Sequence, residues 1–329
     1  MIFPFVSLKL HLTFAEQTNK ETYIKMGVFI LNKPKIVVVG SLNMDMVISM
    51  SRMPAVGETL QGQAIHYMPG GKGANQAVAS ARLGAQVAMI GAVGRDMFGQ
   101  QLVRNLLDNG VDISAVQNLE GVPTGTATVL HTPEDNCIVV VSGANDQFSE
   151  ESIKKHRRLI AEADLLLVQL EIPLKTVEYV LQLARECCVT TVLNPAPAQP
   201  LSDGLLRNCD YVTPNETELK QMVGRDFSTQ EELGSVLSSW EERFGHKLIV
   251  TRGEHGCSYL VNGNIQTVPA LKVDVVDTTG AGDAFNGGLG FGIASGWTLS
   301  EAISFAGKVA GRSVMKLGAQ AGMPYSADL

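Results

Sequence analysis

Ile36-Val37-Val38-Val39-Gly40, followed at once by Ser41-Leu42-Asn43-Met44-Asp45, is the stretch that decides the fold. A short β-branched run with no polar alternation reads as a strand buried on both faces. Similar runs recur at Val87–Ala92, Asp164–Glu171, Thr190–Asn194, Tyr211–Thr213 and Lys247–Thr251. Helical patterns lie between most of them, at Ala74–Leu83, Met97–Asn109, Glu150–Glu162, Leu174–Cys187 and Gln230–Phe244. Buried strands alternating with helices predict an α/β core, a mostly parallel, doubly wound sheet with helices on both faces.

Two stretches break that rhythm. Met46–Met50 with Gln61–Tyr67, and Thr124–His131 with Asn136–Val141, read as half-buried strands with no helix between partners. They predict a small β-sheet lid, built from about 45–67 and 122–142, over the carboxyl ends of the parallel strands, where open α/β folds bind ligands. Cys257–Val261 and Ile265–Val268 predict a hairpin turning at Asn262-Gly263. The C-terminal part reads as strand-like Val273–Val276, a glycine-rich turn, and helices over Asp283–Ser295 and Thr298–Lys316, the second opening on a capping box. No internal repeat or linker interrupts residues 35–329, so one domain is expected there. Residues 1–34 read as a flexible leader, with Met26 as a second potential start.

The bulk numbers exclude several classes. A net charge of −7 gives no footprint for nucleic acid or an anionic membrane. No apolar run approaches the roughly 20 residues of a membrane helix. Cys137, Cys187, Cys188, Cys209 and Cys257 show no C-x-x-C spacing, which points to reduced thiols in the cytoplasm rather than to zinc or a disulfide framework.

The sharpest chemical pattern is Asp277-Thr278-Thr279-Gly280-Ala281-Gly282-Asp283 ahead of a helix. Small residues at Gly280, Ala281 and Gly282 let backbone amides approach a phosphate, and the helix N-terminus adds partial positive charge. Such a cradle stabilises a phosphoryl group in flight, and Asp283 is placed to take the proton of an attacking hydroxyl. The helix dipole should make Asp283 a weak base. An isolated G-x-G is as readily a plain turn; two framing aspartates make this one specific.

Gly70-Gly71-Lys72-Gly73-Ala74-Asn75-Gln76 enters a helix but matches neither a Walker loop nor a Rossmann fingerprint. Lys72 and Asn75 offer groups suited to hydroxyls, although taken alone the stretch is as readily a glycine turn capping a helix. Asn43 and Asp45 fall on one side of an extended chain and could grip neighbouring sugar hydroxyls, although Asn43 alone could equally form an Asx-turn. Glu171, Asn194, Asn215-Glu216-x-Glu218 and Thr251-Arg252-Gly253-Glu254-His255-Gly256 all follow strands; each alone reads more readily as a cap or a turn, but their repeated placement on one rim points to a shared cleft.

Together these residues resemble the ribokinase family of carbohydrate kinases, over about Lys35 to Pro324. The motifs at 70–76 and 277–283 carry the resemblance. Asn194–Ala198, Pro214–Glu218 and Gly318-Ala319-Gln320 point to its ribose-phosphorylating members. The resemblance implies a three-layer α/β/α sandwich with a β-sheet lid through which a homodimer forms. It implies ATP-dependent phosphorylation of D-ribose at the 5-hydroxyl, with deoxyribose, fructose or adenosine as sibling acceptors and a non-catalytic binding protein as the remote alternative.

Carried over residue by residue, Asn43, Asp45, Gly71, Lys72, Asn75 and Glu171 would hold the sugar, and Asp283 would be the base. Thr251 to Gly256 and Asn215 would line the nucleotide site, with Gly280, Ala281 and Gly282 as anion hole. Asn215 and Glu218 belong to the stretch that organises Mg2+. A K+ activator would lie by Asp277, Thr279, Ser313, Lys316, Gly318 and Gly322. Gly307 departs from an Asn or His near the base, and Gly322 from a serine near the cation.

Overall fold

A computed structural model describes residues 33–134 and 136–329. The expected leader lies outside the described residues apart from Lys33 and Pro34. The central sheet contains β1 (Lys35–Val39), β4 (Gln86–Gly94), β5 (Asp112–Leu119), β8 (Leu165–Val168), β9 (Thr190–Leu193), β10 (Tyr211–Val212) and β11 (Lys247–Leu248). Their order is β11-β10-β9-β8-β1-β4-β5, and every pairing is parallel. The chain leaves β1 in one direction to β4 and β5 and returns on its other side through β8, so the strand order reverses at β1.

Period-two alternation splits the core between the two faces. Val37, Val39, Leu166 and Val168 point to one apolar layer with α3 (Glu150–Lys154), α4 (Arg157–Ala161), α5 (Leu174–Glu186), α6 (Asp203–Leu206), α7 (Glu216–Val223) and α8 (Gln230–Phe244). Ile36, Val38, Leu165 and Leu167 point to the other, with α1 (Lys72–Arg82), α2 (Met97–Asp108), α9 (Ala281–Ala294) and α10 (Leu299–Ser313). This is the doubly wound α/β class expected from the strand runs.

A separate four-stranded sheet has the order β3-β2-β6-β7, from β2 (Asn43–Ser49), β3 (Ala64–Gly70), β6 (Gly125–His131) and β7 (Asn136–Val141). β2 starts four residues after β1 ends, so this sheet rises directly from the central strand. A three-stranded sheet joins β12 (Val250–Thr251), β13 (Cys257–Val261) and β14 (Asn264–Val268).

Three local readings are corrected, and one strand was missed. The helix expected over Glu150–Glu162 is two helices, because at Lys155–His156 the His156 amide reaches back three residues to the Ile153 carbonyl. The run Lys247–Thr251 is divided at Ile249 between two sheets. β5 had no clear sequence signal, since Asp112, Ser114, Gln117 and Asn118 interrupt its apolar positions at the edge of the sheet. Val273–Val276 is not a strand: the amides of Val276 and Asp277 both donate to the Val314 carbonyl, while Val273 and Val275 line a cleft.

Candidate active site

The carboxyl ends of β1, β8, β9 and β10 deliver Ser41, Glu171, Asn194 and Thr213 towards one region, and α1 and α9 bring their first turns to it. The two helices pack closely: a Cβ on Gly287 would lie 2.5 Å from the Ala79 Cβ, so glycine is required at that crossing. α9 opens at Gly280 with φ of 77°, a left-handed conformation that glycine adopts freely. The Ala281 amide donates to the Thr278 carbonyl at 3.2 Å. The amides of Gly282 and Asp283, in the first turn, have no partner within the helix. A Cβ on Gly282 would meet no protein atom within 4 Å, so the space beside it is open.

Asp283 is buried at 5% exposure. Its Oδ2 accepts from Asn75 Nδ2 at 2.9 Å and its Oδ1 from Gln76 Nε2 at 3.0 Å. Burial pushes the carboxyl above the usual range, against the opposing pull of Lys72 and the two amides. The weak base expected from the helix dipole alone is thereby corrected: desolvation is the larger effect. Lys72 is surrounded by acids. Burial works against its charge, but Asp283, Glu171, Glu218 and Asp45 together hold it above the ordinary lysine value.

Of the sugar-site candidates, Asn43 and Asp45 both lie on β2, which pairs with β3 so that Asn43 faces Gly70 and Asp45 faces Met68. Burial, then Glu171 and Asp283, raise the Asp45 carboxyl to about 7, with Lys72 opposing. Gly71 has φ of 88°, and a Cβ there would sit 2.6 Å from the Asn43 amide nitrogen; the two segments meet backbone to backbone. Glu171 accepts from the Ser41 hydroxyl and from the Lys72 amide (3.0 Å), tying β1, β8 and α1 together. Sequence reading missed Asn145. It is buried in a 3-10 turn, receives the Leu42 amide at 3.0 Å and donates to Asn43 Oδ1 at 2.8 Å, which orients Asn43. Its only sequence signal is a polar residue in Gly143-Ala144-Asn145, too common to single out.

Two connected hollows meet at this point. The larger, about 880 Å³, is walled by Val268 to Val273, Val275, Phe285, Ala310 and Val314. Thr251, Gly253, Glu254, Gly256 and Gly307 also line it, whereas Arg252 turns aside to Glu216 (3.0 Å) and His255 is not part of the lining. A Cβ on Gly307 would meet nothing within 4 Å, so this position widens the cleft. The smaller hollow, about 170 Å³, is lined by Lys72, Asn194, Thr213, Glu218, Gly280, Asp283 and Asn286. Asn215, Thr251 and Gly282 line both. Asn215 and Glu218 also form a reciprocal capping box on α7, with both hydrogen bonds at 2.8 Å. Burial and Asp283 raise the Glu218 carboxyl, against the Asn215 amide and Lys72.

The candidate cation residues are tied together by hydrogen bonds and close backbone packing. Asp277 accepts from the Thr279 amide (2.9 Å) and hydroxyl (2.7 Å) and from the Gly318 amide (2.8 Å). Burial opposes its charge, but these bonds hold its carboxyl below the usual range. The Ser313 hydroxyl turns back to Ala310, while the Ser313 carbonyl faces Gly322, where a Cβ would approach it to 2.1 Å. The Lys316 carbonyl would stand 3.5 Å from the same Cβ. A serine at 322 would therefore collide with the backbone, and glycine lets the loop close on itself.

Comparison with known proteins agrees with this geometry. A curated ribokinase of Bacillus subtilis is 39% identical over 289 residues, covering 88% of this chain and 96% of the relative. A deoxyribokinase of Salmonella typhi is 35% identical over 254 residues, covering 77% of this chain and 83% of the relative. The solved structure of Arabidopsis thaliana ribokinase complexed with ribose and ATP matches with a TM-score of 0.85 at 30% identity, over 90% of this chain and 97% of that one. Residues 33–325, which hold both hollows and every candidate residue above, match the model for pfkB family carbohydrate kinases. With a buried carboxylate at the head of a glycine-bounded helix and a cleft opening beside it, the chain belongs to the pfkB family of carbohydrate kinases.

Proposed function

We propose that this kinase transfers the γ-phosphoryl group of ATP to the 5-hydroxyl of D-ribose, giving ribose 5-phosphate and ADP. The observation that carries the reading is the shared wall. Gly282, Asn215 and Thr251 border both hollows, so a nucleotide in the larger presents its phosphates to the smaller, where Asp283 waits. Asp283 takes the proton as the sugar oxygen attacks, and the Gly282 and Asp283 amides with Lys72 receive the charge of the transferring group. Asn43, Asp45 and the Gly71 backbone hold the sugar.

Mg2+ suits Glu218 and Asn215. Among the described residues no trio of acidic, His or Cys ligands forms a closed metal cage, and Mg2+ needs only one or two carboxylates beside substrate phosphates. It would neutralise charge on the β- and γ-phosphates. The carbonyls of Ser313 and Lys316 with Asp277 suit a monovalent cation such as K+, a hard ion that takes oxygen ligands.

The deoxyribokinase relative favours one rival acceptor. Asp45 and Asn43 on one strand reward an acceptor with adjacent hydroxyls, so kcat/KM for ribose should exceed that for 2-deoxyribose by at least about tenfold. A coupled ADP-release assay with ribose, 2-deoxyribose, fructose and adenosine decides it; preference for deoxyribose would move the substrate, and silence with all four would favour a binding protein.

The assembly we propose is a homodimer through the four-stranded sheet. On its edge strand β7, Ile138, Val139, Val140 and Val141 are between 50% and 60% exposed, an apolar edge that natural proteins seldom leave uncovered. Val139→Lys should convert a dimer to a monomer by sedimentation, and a wild-type monomer at micromolar concentration would refute the pairing. Among the described residues no helix is long and apolar enough to cross a membrane, and all five thiols are unpaired, which favours the reducing cytoplasm.

A further inference from the structure

We propose that Gln76 and Gln320 are positioning residues for phosphoryl transfer, each belonging to a relay of side-chain amides that fixes one oxygen of Asp283, Gln76 directly and Gln320 through Asn75. The inference rests on Asp283 being the base but not on which sugar it serves.

The direction of the first relay is set by a backbone carbonyl. Asn194 Nδ2 donates to the Thr213 carbonyl at 3.2 Å, so Asn194 Oδ1 must be an acceptor. Gln76 Nε2 donates to that oxygen at 3.2 Å and to Asp283 Oδ1 at 3.0 Å, which leaves Gln76 Oε1 to accept from Gln169 Nε2 at 2.7 Å. Turning the Gln76 amide over would set oxygen against oxygen at both Asp283 and Asn194. Gln76 and Gln169 are fully buried.

Gln169 Oε1 is itself buried without a hydrogen-bond partner and rests on Gly40, where a Cβ would lie 2.0 Å away. An orphaned buried carbonyl is unfavourable, and such local violations concentrate where a site demands them. Here the demand is that Gln169 aim its donors at Gln76.

The second relay arrives from the C-terminal end of the chain. Asn105 Nδ2 donates to Gln320 Oε1 (2.6 Å), Gln320 Nε2 to Asn75 Oδ1 (2.9 Å), and Asn75 Nδ2 to Asp283 Oδ2 (2.9 Å). Gln320 lies in α11 (Ala319–Gly322), which Arg82 clamps to α1 through the carbonyls of Gln320 (2.6 Å) and Met323 (2.8 Å). Gln169 and Gln76 in the first relay, and Asn105, Gln320 and Asn75 in the second, thus all donate in the direction of Asp283, while Asn194 fixes the orientation of Gln76. None of the amides titrates, so neither relay can carry the proton away.

Among charged groups, Lys72 of α1 opposes a proton on Asp283, while Glu171 after β8, Asp45 of β2 and Glu218 of α7 favour one. The relays add fixed donors on the side of the ionised form and hold the remaining lone pairs towards the smaller hollow.

The test compares full-length wild type, Gln76→Met and Gln320→Met, with Asp283→Asn to assign the signal. The Asp283 carboxyl is titrated by NMR of carboxyl-labelled aspartate in the free protein, and kcat and KM are measured against pH. In Gln76→Met the carboxyl should titrate about one pH unit higher and kcat at pH 7 should fall about tenfold, with both KM values within about twofold. Gln320→Met should move both readouts the same way by less, because it acts through Asn75. An unmoved carboxyl titration in both folded variants overturns the proposal, as does a change confined to KM. If Gln76→Met fails to fold, Gln320→Met decides alone. A protein inert towards ribose would sink the acceptor reading, while the titration would still judge the relays.

Discussion

Replacing Asp283 with asparagine should lower kcat by roughly a thousandfold, within the usual range for a general base, while nucleotide affinity changes by less than about threefold. The separation follows from placement. Asp283 lines the smaller hollow and not the larger one, so the wall of Val268 to Val273 and Val275, where we place the nucleotide, is untouched. An asparagine cannot accept on both sides. Its NH2 would face a donor of either Asn75 or Gln76, so one of those amides must swing away. Stability should hold or rise, because a buried carboxylate raised by desolvation is unfavourable in its charged form. Steady-state kinetics, calorimetric nucleotide titration and a thermal melt read the three effects. An activity within about threefold of wild type would remove Asp283 from the reaction.

Lys72→Met should lower kcat/KM by roughly a hundredfold or more and, unlike most loss-of-function changes, should carry a pH-dependent stability defect. Lys72 is the cation that Asp45, Glu171, Glu218 and Asp283 share. Removing it strands buried acids, a change worth about 3 kcal/mol for a broken buried pair. For Asp45 the sign is fixed by its raised value of about 7, against about 3.9 in an unfolded chain. The native state keeps that proton longer than the unfolded state, so stability is greatest at low pH and declines as pH rises from about 4 to about 7. Without Lys72 the decline steepens. Urea melts should show a large loss at pH 8 and a much smaller one at pH 5. Equal losses at both would mean that lost packing of the lysine stem, not charge, is responsible.

The central sheet was legible because strands such as Val37–Val39 and Leu165–Val168 are buried on both faces and leave no other reading. The motif at 277–283 was legible because its small residues and framing acids have a chemical purpose visible in one dimension. Val273–Val276 misled for a physical reason: an apolar run that lines a ligand cleft has the same composition as one that pairs in a sheet. The relays to Asp283 were hidden differently. Gln76 and Gln320 are separated by more than two hundred residues, and a lone glutamine in a helix looks like a solvated side chain until the crossing of α1 and α9 buries it. Asn215 and Glu218 show that cap and site readings need not compete, since the same pair caps α7 and lines both hollows or one.

The sheet that rises from β1 is pinned at its root. Asn43 sits opposite both Gly70 and Gly125, and a side chain at Gly125 would strike Asn43 and Asn145 at 2.3 Å. That crowding makes the root a fulcrum and the rest of the sheet a lever arm. At about 3.4 Å per residue, Asp45 stands only about 7 Å from the fulcrum, whereas Ser49 stands about 20 Å away. A ten-degree swing, roughly, would carry the tip about 3.5 Å but Asp45 only about 1.2 Å at the same rise per residue. Such leverage would let the rim of the sheet open wide for the sugar we propose while Asp45 stayed nearly in register.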